Sequence, residues 1–388
     1  MNKSLSAGEL SVSSGACAIA AVRVAMVTNI PAPYRLPMYE LLAATPGLSL
    51  KVFFCSGREP DRAWDLDRLS VDHVFLRERF VTWAGRYIHV NPDVLSALAG
   101  FRPDVVLTTG FNPTHLIAFA YAWLRGARHV AMTDGTADSE ARLGGLHRWV
   151  RRRVYKRSAA FVGASEGSFD LYRQYGLQES RLFKSQLCAN NRAFAGASTA
   201  AAGRDVDLMF CGRFVQGKQP LFALDVAAQV ARRIGRRVVM LLVGSGEQEE
   251  AMRAAAERLS PWVDARFAGF ARQAELPQLY ARSKLLLFPT TGDTWGVVAN
   301  EACAAGVPVL VSPQAGVAND LVRDGDNGRV LPLQADRWAE AAAALLLDDA
   351  ERQRMAARCR ELVDPYTYAN AALGLAQAIQ AAASRSGG

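Results

Sequence analysis

The feature that most constrains this chain is a rhythm: short, wholly apolar segments alternate with helix-length segments along nearly all of it. Residues 22–29 (VRVAMVTN), 48–55, 105–108, 129–132 and 160–164 are runs of the strand type. Segments of helical length, such as 113–124 and 166–175, lie between them. A strand with one wet face alternates apolar and polar residues, whereas a continuous apolar run is buried on both faces. The runs therefore predict a parallel sheet covered by helices on each side. The rhythm lapses at 193–204, which is rich in Ala, Gly and Ser, and then restarts. Strands are expected at 206–211, 237–243, 284–288 and 308–311, and helices at 220–234, 248–259 and 297–305. The Ala-rich segments after Trp338 read as terminal helices. The expected class is α/β, with two doubly wound domains in tandem. Ligands of such sheets bind at the carboxyl ends of the strands, so two facing domains would share a central cleft.

Composition narrows the partners. A chain of 388 residues has room for two such domains, and with 50% hydrophobic and 21% charged residues it is of the ordinary globular kind. The net charge of +8 is compatible with nucleic acid, anionic lipid or an anionic substrate. Its densest run is 148–157, RWVRRRVYKR. This run could be one solvated helix face, but Trp149 and Tyr155 interleave with the cations, a pattern equally suited to an anionic membrane surface. No nucleic-acid motif accompanies it, so nucleic acid is not an expected partner. The six cysteines form no CxxC pair and show no zinc-ligand spacing. They read as small buried hydrophobes in a reducing cytoplasm. In residues 1–21 Glu9 and a Ser/Gly run precede the apolar part, and Arg23 then interrupts it, so this segment reads as a disordered leader. No run approaches the roughly 20 apolar residues of a spanning helix.

The motifs first exclude some chemistries. Val243-Gly244-Ser245-Gly246 follows a strand, but Glu249 stands where a dinucleotide fingerprint needs its third glycine. No phosphate-binding GxxxxGK segment followed by Ser or Thr is present. Residues 210–214 (FCGRF) end a strand, with Lys218 in the loop that follows. Arg213 and Lys218 are five apart across a glycine-bearing turn, just before a helix start, an arrangement suited to a diphosphate. On spacing alone they could equally be two solvated charges. Asp293 and Glu301 are eight apart in TGDTWGVVANE. A helix opening near Gly296 leaves Asp293 in the loop and carries Glu301 about one and a half turns in. Gly296 would let a ligand approach the backbone, and the amides of Val297 and Val298 would point out of the helix start. A plain cap and a surface acid are the alternatives.

Taken together, these segments resemble family 4 of the retaining glycosyltransferases, with the GT-B fold of two Rossmann-like domains. FCGRFVQGKQP is similar to that family's Gly-Arg-Leu/Phe-x-x-x-Lys segment, and LLVGSGEQEEAM to its VGxG strand and helix start. FAGFARQAELPQLYARSKLLLFPT resembles the approach to the acidic motif. TGDTWGVVANEACAAGVPVLVS resembles the E-x7-E motif itself, and NGRVL the turn after it. The likeness covers roughly residues 22–360 and is most specific in the second half.

The resemblance implies roles. Arg213 and Lys218 would bind the diphosphate of a nucleotide-sugar donor, and Glu301 its ribose hydroxyls. Gly296, Val297 and Val298 would hold the β-phosphate and sugar, with Gly244 in the donor loop beside them. Asp293 takes the first acidic position, where the family usually has Glu, and would touch the sugar. The first loop, Pro31-Ala32-Pro33-Tyr34-Arg35, looks like the PSPYR-type loop of polysaccharide-assembly enzymes. Arg35 would reach the sugar or a phosphate. Asp134 stands where many relatives place a His and would contact the transferred sugar, with Asp138 and Glu140 as lesser candidates. The family needs no metal and no cofactor besides the donor. The acceptor would be a glycan or lipid-linked glycan, and the enzyme cytoplasmic, with attachment to the inner face of the membrane through 148–157. A sugar-nucleotide 2-epimerase and a catalytically inactive sugar-binding relative are the alternatives. The expected division is a leader at 1–21, an acceptor-side domain at 22–192 and a linker at 193–204. A nucleotide-sugar-binding domain follows at 205–362, and then a C-terminal helix and tail at 363–388 packing back on the first domain.

Overall fold

The computed structural model describes residues 21–59, 69–83, 86–141, 143–200 and 203–384. The expected leader, apart from Ala21, lies outside the described residues. The first half runs β1 (Val22–Thr28), α1 (Leu36–Ala43), β2 (Leu48–Phe54), β3 (His73–Phe75), β4 (Phe80–Trp83) and β5 (Arg86–His89). It continues with α2 (Val94–Phe101), β6 (Val105–Thr108), α3 (Pro113–Arg125), β7 (Arg128–Thr133) and α4 (Ala137–Ala141). Then come α5 (Gly145–Arg157), β8 (Ala160–Gly163), α6 (Glu166–Gln174) and β9 (Leu182–Lys184). The second half begins with α7 (Asn191–Ala200), β10 (Val206–Cys211), α8 (Pro220–Ile234), β11 (Val238–Val243) and α9 (Glu249–Arg258). It proceeds through β12 (Val263–Gly269), α10 (Leu276–Ala281), β13 (Ser283–Phe288), α11 (Val297–Ala304), β14 (Val309–Val311) and β15 (Gly328–Val330). Three helices close the chain: α12 (Ala335–Leu347), α13 (Asp349–Val363) and α14 (Tyr368–Ser384).

The strands form two large parallel sheets, ordered β3-β2-β1-β6-β7-β8-β9 and β12-β11-β10-β13-β14-β15, and β4 and β5 pair as an antiparallel hairpin. This is the expected doubly wound pair. The apolar runs are buried because each sheet is covered on both sides. Leu208 and Phe210 of β10 enter one apolar cluster of the second domain, and Met209 between them enters the other. Successive residues of this stretch thus face opposite layers. The small strand β3, the hairpin, β9, β12 and β15 had no place in the sequence reading. β12 explains why: its exposure pattern is mixed, so it lacks the continuous apolar run that betrays the central strands.

The segment expected as a linker is not irregular. It is helical through Ala200, and α7 packs on α10 and α11 of the second domain. Phe194 is buried there, edge-on to Tyr280 with ring centroids 5.4 Å apart. Alanine is the strongest helix former, so an Ala-rich stretch holding one large apolar anchor folds as a helix despite its Gly and Ser. The chain crosses between the domains at 185–190 and again at 364–367. Asn191 Nδ2 ties the crossings together by donating to the carbonyls of Val363 (3.0 Å) and Tyr366 (3.2 Å). After the second crossing α14 lies on the first sheet, where Ala371, Leu375 and Ile379 join the cluster of Val24, Met26 and Val130.

Candidate functional site

Each sheet reverses its strand order near the centre, the first between β1 and β6 and the second between β10 and β13. Loops leaving adjacent strands diverge there and open a crevice at the carboxyl ends. The loops carrying most of the expected site residues leave these strands: 29–35 after β1, 212–219 after β10 and 289–296 after β13.

In the second domain the two crevice loops are stitched together. The Gly217 carbonyl accepts the Thr291 N–H (3.0 Å) and the Thr290 hydroxyl (3.0 Å). Thr290 N–H in turn donates to Ser312 Oγ at 2.9 Å. This stitching brings Lys218, in a short turn at 216–218, onto Asp293, and the two form an ion pair. The second oxygen of Asp293 accepts the Trp295 N–H at 3.2 Å. Both side chains of the pair keep about a fifth of their surface exposed (22% and 21%), so they remain open to the crevice. Lys218 Nζ also stands 5.8 Å from the centre of the Phe288 ring. Arg213 is half-buried on the same loop as Lys218.

Two glycines shape this region. Gly244 has φ +132, and a Cβ there would lie 1.9 Å from the Gly212 carbonyl oxygen. Its lack of a side chain lets the loop after β11 lie against Gly212-Arg213-Phe214, fixed by Phe214 N–H donating to Ser245 O at 2.8 Å. The structure accounts for Gly244 by this packing. Gly296 caps α11 at φ +107, and a Cβ there would lie 2.2 Å from Phe288 Cε1. The helix opens on a sharp backbone turn with Val297 and Val298 in its first turn, and no side chain caps it.

Glu301 is no surface acid. It sits inside α11 with 4% of its surface exposed, and the Tyr280 hydroxyl donates to its Oε2 at 2.8 Å. Burial pushes its carboxyl up from 4.5 to about 7, and the Tyr280 hydrogen bond works against that rise. Trp295, between the two acids, is buried, and its indole N–H donates to Asn300 Oδ1 at 2.7 Å. Asn300 Nδ2 donates to the Leu187 carbonyl in the first interdomain crossing, at 3.2 Å. The acidic segment is thereby anchored to that crossing. The sequence reading missed Tyr280, Thr290 and Asn300, although all three stand inside or beside the quoted motifs.

In the first domain Arg35 and Asp134 form one unit. Nη2 of Arg35 donates to both carboxylate oxygens at 2.6 Å. Burial opposes the Arg35 charge, and Asp134 together with Tyr39 and Tyr34 more than offsets it, so the guanidinium stays protonated. Among the described residues neither is hydrogen-bonded to Lys218, Asp293 or Glu301. Asp138 is exposed on α4, while Glu140 is engaged by Arg151.

That ion pair corrects the reading of the basic run. Arg151 is buried, lies 4.3 Å from the centre of the Phe111 ring and shares the inner face of α5 with Val154 and Tyr155. Trp149 points outward with Arg153 over its ring at 5.0 Å, and Arg157 lies over Trp123 of α3 at 4.7 Å. Leu124 and Leu146 are also exposed. No helix among the described residues is long and apolar enough to cross a membrane. Nor, among the described residues, do three or more His, Cys, Asp or Glu gather in a way that could hold a metal.

Comparison with known proteins agrees with this fold. Residues 192–362 match the family model "Glycosyl transferases group 1". A D-inositol 3-phosphate glycosyltransferase of Nocardia farcinica is 31% identical over 199 residues, which is 50% of this chain and 44% of the relative. A GDP-mannose-dependent alpha-mannosyltransferase of Corynebacterium glutamicum is 27% identical, covering 71% of this chain and 67% of the relative. The chain spans about half the length of the first of these relatives. Among solved structures, Anabaena HepE in complex with UDP and glucose superposes with a TM-score of 0.73 at 14% identity, covering 92% of this chain and 99% of HepE. Residues 192–362 thus match the group 1 glycosyl transferases, and the chain as a whole has the GT-B fold.

Proposed function

We propose that this chain is a retaining glycosyltransferase that moves a hexose from a nucleotide diphosphate sugar to a glycan or lipid-linked glycan in cell-surface polysaccharide synthesis. The observation that carries this reading is the meeting of Lys218 and Asp293 at the second switch point, beside the open start of α11 and one turn and a half before the buried Glu301. Similar proteins support a nucleotide-sugar donor: one is GDP-mannose-dependent, and HepE holds UDP and glucose. On this reading the anomeric carbon–oxygen bond breaks and its electron pair leaves with the diphosphate. The acceptor hydroxyl forms the new bond on the same face, and its proton passes to the departing phosphate oxygen. Lys218 exchanges Asp293 for the diphosphate, and with Arg213 it opposes the charge that grows there. The amides of Val297 and Val298 face the β-phosphate. Asp293, released from Lys218, accepts from the sugar hydroxyls, as does Asp134, which Arg35 holds in one orientation. Two cations on the leaving group do the work a metal does in other transferases, so the reaction is metal-independent.

The outer face of α5, with Trp149, Arg153, Arg157 and the adjoining Trp123 and Leu124, supports peripheral attachment to the anionic inner face of the cell membrane. There a cytoplasmic enzyme would meet a lipid-linked acceptor. A thermal-shift screen of UDP-, GDP-, ADP- and dTDP-sugars, followed by product analysis of each stabilising donor, tests the function. Transfer with retention supports it. Epimerised donor as the sole product would select the epimerase alternative, and stabilisation without turnover the inactive one.

A further inference from the structure

Glu301 is a carboxylate held inside its helix, between the fully buried Asn300 and Ala302. Something must fix its direction if it is to meet a ligand. Tyr280 reaches it from α10. That side chain is wholly buried, its ring braced by Phe194, and its hydroxyl donates to Glu301 Oε2 at 2.8 Å. The same hydroxyl lies 3.4 Å from the Val298 carbonyl, in the first turn of α11. It also borders the thiol of Cys211, the residue before Gly212-Arg213. One phenol therefore touches the end of β10, the opening of α11 and the acid inside that helix. A buried phenol hydroxyl is costly unless partnered, and a phenylalanine would fill the same space.

We propose that Tyr280 is a positioning residue of the donor site: its hydrogen bond occupies one oxygen of Glu301 and presents the other to the vicinal hydroxyls of the donor ribose. This rests on the assignment of Glu301 to the ribose. The titratable groups facing Glu301 are Tyr280 from α10, Cys211 from β10 and Tyr368 at the start of α14. Burial pushes all three upward, Cys211 to about 12, so they stay neutral across the working range. Glu301 is then the group that titrates near neutrality, and ionised it is the better acceptor for hydroxyls.

The test uses the full chain, with UDP and GDP as calorimetric probes from about pH 5.5 to about pH 9 and with the active nucleotide-sugar in kinetics. In Tyr280→Phe, nucleotide affinity should fall about ten-fold, the scale of one hydrogen bond to a charged group. The donor KM should rise with it while kcat stays near wild type. The pH at which affinity breaks should move upward, because the bond that lowers the Glu301 pKa is gone. Glu301→Ala is the reference. If it leaves nucleotide binding intact, the ribose assignment falls. If it weakens binding while Tyr280→Phe changes neither affinity nor the pH break, the positioning role falls and the assignment stands. The double variant Tyr280→Phe/Glu301→Gln should bind no more weakly than Glu301→Gln alone, and additive losses would also overturn the proposal.

Discussion

Gly296→Ala should disable the donor side of the site through its backbone. Gly296 holds φ +107 and ψ +74, a conformation that strains any residue with a Cβ. Such a backbone costs about 1–3 kcal/mol. The new methyl would also lie 2.2 Å from Cε1 and 2.4 Å from Cζ of Phe288, a buried ring at the end of β13. Overpacking of this kind adds about 1–3 kcal/mol, so the variant should lose about 2–6 kcal/mol in all. The displaced ring would disturb Lys218, whose ammonium stands over it. Urea denaturation followed by tryptophan fluorescence measures the loss, and nucleotide calorimetry measures the site. A second variant separates the two contributions. Phe288→Leu removes the two clashing atoms, so Gly296→Ala introduced on that background should cost only the backbone strain. An equal cost on both backgrounds would refute the packing argument, and a cost below about 0.5 kcal/mol, the scale of a neutral surface change, would refute both.

Other outcomes follow from the same geometry. Because burial raises the Glu301 carboxyl from 4.5 to about 7, it contributes stability that is full below the lower value and lost as pH rises through the upper one. Glu301→Gln should therefore gain roughly 2.5 kcal/mol relative to wild type between pH 5 and pH 8. A variant-minus-wild-type difference unchanged between those two values, in urea melts, would contradict this. Asp293→Ala should lower turnover more than donor affinity, and Glu301→Ala the reverse, because ribose contacts are alike in ground and transition states. Steady-state kinetics with equal losses in both constants for both variants would sink that division. Arg153→Ser/Arg157→Ser should weaken sedimentation with anionic vesicles by about 1 kcal/mol per residue. Arg151→Ser should instead destabilise the fold, since it leaves Glu140 buried and unpaired; the opposite pattern would remove the proposed membrane face. Turnover should survive exhaustive EDTA treatment, and a loss restored by Mg²⁺ or Mn²⁺ would contradict the role given to the cations.

The central strands and their helices were legible because a fully buried strand has to be apolar along its whole length. β6, β10 and α8 fall where the sequence puts them, to the residue. Edge elements escaped notice because half-wet strands carry no such mark, and α7 escaped because its alanines were read as flexible. In the site, chain order placed Arg213 and Lys218, and Asp293 and Gly296, in the loops after two of the expected strands; that these two loops flank one switch point is seen only in the strand order. Partnership was the part that could not be read. That Lys218 holds Asp293, that Arg35 holds Asp134 across 99 positions of sequence, and that Arg151 turns inward to Glu140 all depend on which loops face each other. A one-dimensional pattern does not specify those facings. Tyr280 was invisible for a related reason: it looks like one more apolar residue on a short helix, and only its hydroxyl, aimed at Glu301, distinguishes it.

The most direct test of the account is the turnover of Lys218→Ala and Arg213→Ala with a matched nucleotide-sugar donor. Cleavage of the glycosyl–phosphate bond builds negative charge on the departing diphosphate, and fixed cations stabilise that charge more in the transition state than in the ground state. Each alanine variant should lose about 10²–10³ in kcat, or roughly 3–4 kcal/mol, while circular dichroism shows it folded. Arg213→Lys should recover only part of the loss, because a point charge replaces a fork that can grip two phosphate oxygens. Wild-type turnover in either folded alanine variant would contradict the diphosphate site and the mechanism built on it.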